Sequence, residues 1–290
     1  MAVSRNRVTL RIMISLFRLL VVFCALALVR PPTLSAQFAF SADATFRTRY
    51  VWRGITRTTK PVVQPSALIA WVPAGWTVTT GVWASVEPFH PAADDLTDAG
   101  DAGFGEIDYW IEAHTRFRGL DVRFGHIWYD PRGERITVGP GSVETAELYA
   151  GLLLLPSHLT GLGANVYWDY DEVDGVFVTL EGFRHVPLVQ AGDWIFTITP
   201  KAEAGISAGE AFDNSSGAAG YYVDDGLAYV NTMLGLFAHQ QTWSTYIAGT
   251  VQYNHDRATR LTRPGGDSRK SKAWLELGVS YRSGTRPRQR

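Results

Sequence analysis

The 290-residue chain has one cysteine and three methionines. Beyond residue 36 it has no apolar run of the roughly twenty residues a membrane-spanning helix needs. The lone cysteine, Cys24, lies in the N-terminal apolar segment. A form cut after that segment has no thiol, which excludes disulfides and thiolate metal sites. A basic stripe is missing too. The whole sequence has a formal net charge of −1, and residues 1–36 carry five arginines and no acid, leaving −6 for the remainder. That balance makes nucleic acid a poor partner. Nothing in the sequence points to a cofactor.

The N-terminus has the build of a secretory signal. Arg5, Arg7 and Arg11 form its basic region, and Leu19 to Val29 its short apolar core. Arg18 interrupts any longer span, and Leu34-Ser35-Ala36 offers a cleavage site. The sequence therefore predicts a cleavable signal peptide over 1–36, a single domain over 37–282 and a basic tail over 283–290. The competing reading is an uncleaved inner-membrane anchor.

What is present is alternation. From residue 38 the even positions read Phe38, Phe40, Ala42, Ala44, Phe46, Thr48, Tyr50, Trp52, and the odd ones include Asp43, Arg47, Arg49 and Arg53. A period of two puts these rows on opposite faces of one strand. From Phe38 to Tyr50 such a strand runs about 40 Å, or roughly 28 Å of height when tilted about 45°. The same pattern recurs at Ile107, Tyr109, Ile111 and Ala113, opposed by Glu106, Asp108, Glu112 and His114, and at Ala273, Leu275, Leu277 and Val279, opposed by Glu276. About twelve such segments follow one another. The connections between them alternate between short turns and mostly longer loops. Phe38, Phe40, Trp71, Trp76, Phe117, Trp194 and Tyr281 fall at the short-turn ends, and Tyr50, Trp52, Tyr109, Trp128, Trp168 and Tyr170 toward the long-loop ends. Twin aromatic girdles and one-sided loop lengths belong to a transmembrane barrel. The predicted fold is all-β: an antiparallel up-and-down β-barrel of about twelve strands in the bacterial outer membrane. Mean hydropathy of −0.04 suits a wall that shows lipid only alternate residues. The soluble alternative is a secreted lectin-like sandwich, which gives no cause for either regularity.

Tyr50-Val-Trp-Arg-Gly-Ile-Thr56, with Gln64-Pro65, Gly81-Val-Trp-Ala-Ser85 and Glu106-Ile-Asp108, resembles the Gcw family of conserved hypothetical proteobacterial outer-membrane proteins. The resemblance covers the first third of the chain after residue 36. It implies an outer-membrane barrel and supplies no established activity. One departure is the end of the chain. Many outer-membrane barrels finish on an aromatic residue that assists assembly, whereas here nine residues ending in arginine follow Tyr281.

The candidate lumen lining is Arg47, Arg49, Arg53, Glu106, Asp108, Glu112, His114, Arg123, Lys201, Glu203 and Glu276. One reading is a narrow porin-like channel for passive permeation of small polar solutes, with these side chains as its selectivity lining. The other is a plugged structural or surface-interaction barrel, in which charges of both signs pair to fill the lumen. Arg49 and Arg53, nearer the long-loop rim, are the candidates for touching a solute anion. Glu276 on the last strand is expected beside a first-strand arginine. A third possibility is a lipid-modifying enzyme, suggested by Glu112 with His114 and by His126 on the outward row. No serine is fixed by spacing to complete a triad, and no catalytic residue is named. Asp94, Asp95, Asp98 and Asp101 in the 87–103 loop depart from the EF-hand spacing, so no metal site is assigned. Expected partners are membrane lipid, lipopolysaccharide, the barrel-assembly machinery and small polar solutes.

Overall fold

The computed structural model describes residues 37–73, 75–88, 104–130, 144–212, 220–260 and 269–283. The predicted signal peptide, most of the 87–103 acidic loop and the tail beyond Ser283 lie outside them. Its elements in chain order are β1 (Gln37–Arg47), β2 (Tyr50–Trp52), β3 (Ile55–Thr58), β4 (Val62–Val72), β5 (Thr77–Val86), β6 (Phe104–Phe117), β7 (Leu120–Asp130) and β8 (Thr145–Ser157). Then come β9 (Thr160–Asp169), β10 (Gly175–Arg184), β11 (Val186–Ala191), β12 (Trp194–Ala208), β13 (Gly226–His239), β14 (Trp243–Asn254), the four-residue helix α1 (Arg257–Arg260) and β15 (Ser271–Ser283).

The sheet closes on itself. β1 pairs antiparallel with β4 on one side and with β15 on the other. β10 pairs antiparallel with β9 and β12. Twelve strands form the wall, β11 being a continuation of β10 past His185 that stays on β12 through a bulge between Pro187 and Val189. Closure leaves no open edge, so every wall strand finds partners for its backbone inside the membrane.

The alternation read from the sequence sets the two faces. Ile69, Ile111, Leu152, Val166, Leu234 and Leu277 all point outward and are exposed. Phe38, Phe117 and Trp243 ring the short-turn end, and Tyr109, Trp128 and Tyr170 the long-loop end. An apolar belt that circles the molecule and has no protein cover is solvated by lipid acyl chains.

The first strand departs from expectation. Alternation predicts one strand from Phe38 through Trp52, but β1 stops at Arg47. The Thr48 hydroxyl accepts the Leu275 N–H at 3.0 Å, and the chain then turns inward. Residues 50–58 form a separate hairpin, β2–β3, inside the barrel. Its two-residue turn is Arg53-Gly54, with φ of +44° and +82°. Positive φ at both positions matches the tight hairpin turns whose twist suits the flanking strands. As a result Tyr50 and Trp52 leave the predicted outer girdle. Tyr50 is buried, and Trp52 packs against the interior cluster of Tyr129, Phe177, Tyr221, Tyr222, Ala228, Tyr229 and Ala258. The hydrophobic core therefore sits in the lumen, at the long-loop end.

Candidate functional site

The hairpin tip is anchored from several walls. Gly54 O accepts hydrogen bonds from Gln252 Nε2 on β14 and Lys272 Nζ on β15, each at 2.8 Å. Lys272 Nζ also donates to Thr56 Oγ1 at 2.7 Å. The Tyr222 hydroxyl donates to Arg53 O at 3.0 Å, and the Tyr50 hydroxyl to Glu106 at 2.7 Å. A residue in the left-handed region persists where its surroundings over-determine it, and Arg53 meets that condition.

Its side chain reaches from the hairpin tip to the β8 wall. Arg53 donates from Nη1 and Nη2 to the two oxygens of Glu147, at 2.6 and 2.5 Å, and Tyr129 donates to the same carboxylate at 2.9 Å. The guanidinium lies 4.5 Å from the Tyr167 ring centre and 4.8 Å from those of Trp52 and Phe177. A second carboxylate, Glu210, approaches to 3.8 Å, fully buried and with neither oxygen meeting a hydrogen-bond donor among the described residues. Burial, then the charges of neighbouring acids against that of Arg53, push the Glu210 carboxyl up to about 8. Below about pH 8 such a carboxyl favours its neutral form, so the single guanidinium faces one firmly paired carboxylate and one weakly acidic group. Arg53, one of the two arginines expected to touch a solute anion, has a different geometry: a bidentate pair sealed between rings, with its side chain 7% exposed.

Arg49 also departs from the expected first-strand row. It follows the end of β1, half-buried and within the field of Arg269. Asp169, the last residue of β9, is fully buried. It accepts hydrogen bonds from the Thr145 and Tyr221 hydroxyls and from the N–H groups of Asp171, Glu172 and Val173, so it caps the 170–174 turn from inside.

The other candidates sit on inward faces. Arg47 faces Glu276 across the β1–β15 seam in register, with a 3.3 Å ion pair. Glu106 and Asp108 lie buried near the hairpin. Glu112 accepts from the Tyr149 hydroxyl at 2.8 Å and lies 3.4 Å from His114 Nδ1. Lys201 bridges Glu181 and Glu203 at 2.7 and 3.1 Å. Arg123 binds no carboxylate among the described residues. Its Nε and Nη2 donate to the Asn165 side-chain carbonyl at 3.1 and 2.7 Å. On the lipid side, His126 meets the Tyr170 hydroxyl at 2.7 Å and the edge of Trp128. Among the described residues no group of three or more His, Cys, Asp or Glu could hold a metal ion.

The lumen thus has two zones. The long-loop end is dry and packed. Next to it, on the side away from the loops, a cavity of about 370 Å³ is bounded by Arg53, Arg123, Asn165, Glu181, Lys201 and Glu203. A second, of about 240 Å³, lies between Arg47, Lys201, Glu203, Trp274 and Glu276. Side chains here are partly hydrated, Arg47 and Lys201 each being 29% exposed.

Sequence reasoning missed Glu210, Tyr221 and Tyr222, which come from a loop without periodicity. Lys272 was findable: it falls on the inward row opposite Ala273 and Leu275.

Closed wall, lipid belt and polar lumen together define an outer-membrane β-barrel. No protein-family model matches the chain, and neither does any curated protein. Solved structures do match in fold. The KdgM porin is 9% identical with a TM-score of 0.44, over 85% of this chain and 99% of that one. An outer membrane channel from Pseudomonas putida F1 is 10% identical with a TM-score of 0.46, over 88% and 100%. LpxR from Salmonella typhimurium is 6% identical with a TM-score of 0.48, over 84% and 99%.

Proposed function

We propose that this barrel is a narrow channel for passive permeation of small polar solutes, and that the β2–β3 hairpin closes it in the conformation described. The observation that carries this is the contrast between the two zones. Charged side chains beside the cavities are partly hydrated, which a lumen filled only to brace the wall has no need of. The closing element is a nine-residue hairpin held by side-chain contacts, not a wall strand. On this reading the Gcw-like run Tyr50–Thr56 is the plug itself.

The rival reading is a permanently plugged barrel that works through its external loops. The complete burial of Tyr221, Tyr222 and Glu210 favours it. Planar-bilayer conductance separates the two. The channel reading expects discrete current steps from the purified barrel, made more frequent by weakening the hairpin. Silence from both the natural protein and a hairpin-weakened, folded variant would overturn the channel reading.

A further inference from the structure

We infer that the 370 Å³ luminal cavity is a binding subsite for a small zwitterion of amino-acid or short-peptide size, its carboxylate taken by Arg123 and its ammonium by Glu181. This deepens the channel reading and rests on it for how the solute arrives.

The argument starts from charge placement. On the β7–β9 side, Arg123 has an amide, not an anion, as its hydrogen-bond partner. Asn165 is held in that role because its own Nδ2 donates to Thr179 Oγ1 at 3.0 Å. The guanidinium is oriented by this amide and has Nη1 without a hydrogen-bond acceptor among the described residues. Glu112 lies in its field but is occupied by Tyr149 and His114. On the β10–β12 side, Glu181 and Glu203 stand directly opposite each other in register. Like charges so placed repel. One lysine between two carboxylates leaves that side with one net negative charge. Glu203 is further engaged by the Tyr229 hydroxyl at 2.8 Å. Glu181 keeps one oxygen with no partner among the described residues.

Two glycines make the space. A Cβ at Gly151 would overlap Asn165 Oδ1 and Arg123 Nε, and one at Gly163 would press on Glu181 Oε1. The bare backbone lets both charged side chains lie along the wall and leaves the centre of the lumen open. A cavity of this size is within the range of small-molecule sites, and it offers opposite charges on facing walls. A lone anion or cation would satisfy one wall and leave the other unpaired. A zwitterion satisfies both, and single-charge analogues then lose heavily because a group of the site stays unmatched.

The test is calorimetric titration of the detergent-solubilised barrel with three probes. Glycylglycine carries both charges, N-acetylglycine only the carboxylate and glycinamide only the ammonium. Glycylglycine is expected to bind saturably, at least tenfold tighter than either analogue. Arg123→Gln should weaken glycylglycine at least tenfold and leave glycinamide unchanged. Glu181→Gln should weaken glycylglycine and leave N-acetylglycine unchanged. Shifted gel mobility of unboiled samples certifies that each variant is folded. No saturable binding, or N-acetylglycine binding as tightly as glycylglycine, overturns the zwitterion site. A parallel liposome-swelling measurement keeps the two proposals apart. Binding without permeation sinks the channel and spares the subsite, whereas permeation without binding does the reverse.

Discussion

Arg53→Ala removes the cation on which the closed lumen is built. Glu147 is 0% exposed and its two oxygens are both held by Arg53. Truncating one partner of a buried pair costs about 3–5 kcal/mol, because the other charge stays in a dry site. The guanidinium also leaves three ring faces, each worth about 0.5–2 kcal/mol, though these overlap with the pair and do not add to it. On the channel reading the cost falls on the plugged state alone, because withdrawal of the hairpin would return Glu147 to water. At about 1.4 kcal/mol per factor of ten, the open-to-closed ratio should rise by roughly 10²- to 10⁴-fold. The assay is single-channel recording in planar bilayers, with the unboiled gel shift as the check on folding. Arg53→Met combined with Glu147→Leu replaces the pair by apolar groups, a change that is often neutral, and should restore closure. A folded Arg53→Ala barrel with the open probability of the natural protein would refute the plug.

Protonation should tune the same element. With the Glu210 carboxyl raised from 4.5 to about 8, the folded loop holds a proton that a free carboxyl has released. The plugged loop is then most stable below about pH 4.5 and loses that stability as pH rises through about 8. Open probability should therefore climb from pH 6 to 9, and Glu210→Gln should flatten the climb; an unaltered slope in the variant would discard the assignment. Gly54→Val should unseat the hairpin, because Gly54 has φ of +82° and a Cβ there would overlap the Tyr229 ring. A cost of about 1–3 kcal/mol is expected for that strain and should appear as raised open probability with an intact wall. Leu152→Arg places a charge on the exposed lipid face near mid-strand. It should lower barrel stability by about 2–4 kcal/mol in urea unfolding, against almost no change if that face met water.

The wall was legible in the sequence because a membrane barrel forces a two-residue period on every strand. β6 shows this most fully, with Ile107, Tyr109 and Ile111 outward and Glu106, Asp108 and Glu112 inward, as their exposures confirm. The Arg47–Glu276 contact was legible for the same reason, since closure brings the last strand to the first. The plug was not. Its residues keep the alternation of β1, so period alone extends the strand through Trp52. What ends β1 is tertiary: a hydroxyl at Thr48 taking a ladder position on β15. The local signal was the Arg53-Gly54 pair between two short β-prone runs, which fits a two-residue hairpin turn. The loop that supplies Glu210, Tyr221 and Tyr222 has no period to read, and only its docking on the hairpin shows what those residues do.

The two inward arginines differ in hydration, and that divides their roles. Arg53 lies where water is excluded, and there a charge must be paired or it destabilises the fold. Its field is largely cancelled by Glu147, so it has little left to offer a passing ion. Arg123 lies where side chains are partly hydrated, with an amide for a partner, so its field reaches the cavity. Gating and selectivity should therefore separate by residue. Neutralising Arg53 should change how often the channel opens and leave the reversal potential of the open state in place. Arg123→Gln should shift the reversal potential toward cation preference and leave open probability alone. A reversal potential that follows Arg53 and ignores Arg123 would mean that permeating ions pass through the long-loop zone in contact with its charges, and the division into a dry plug and a wet lumen would be wrong.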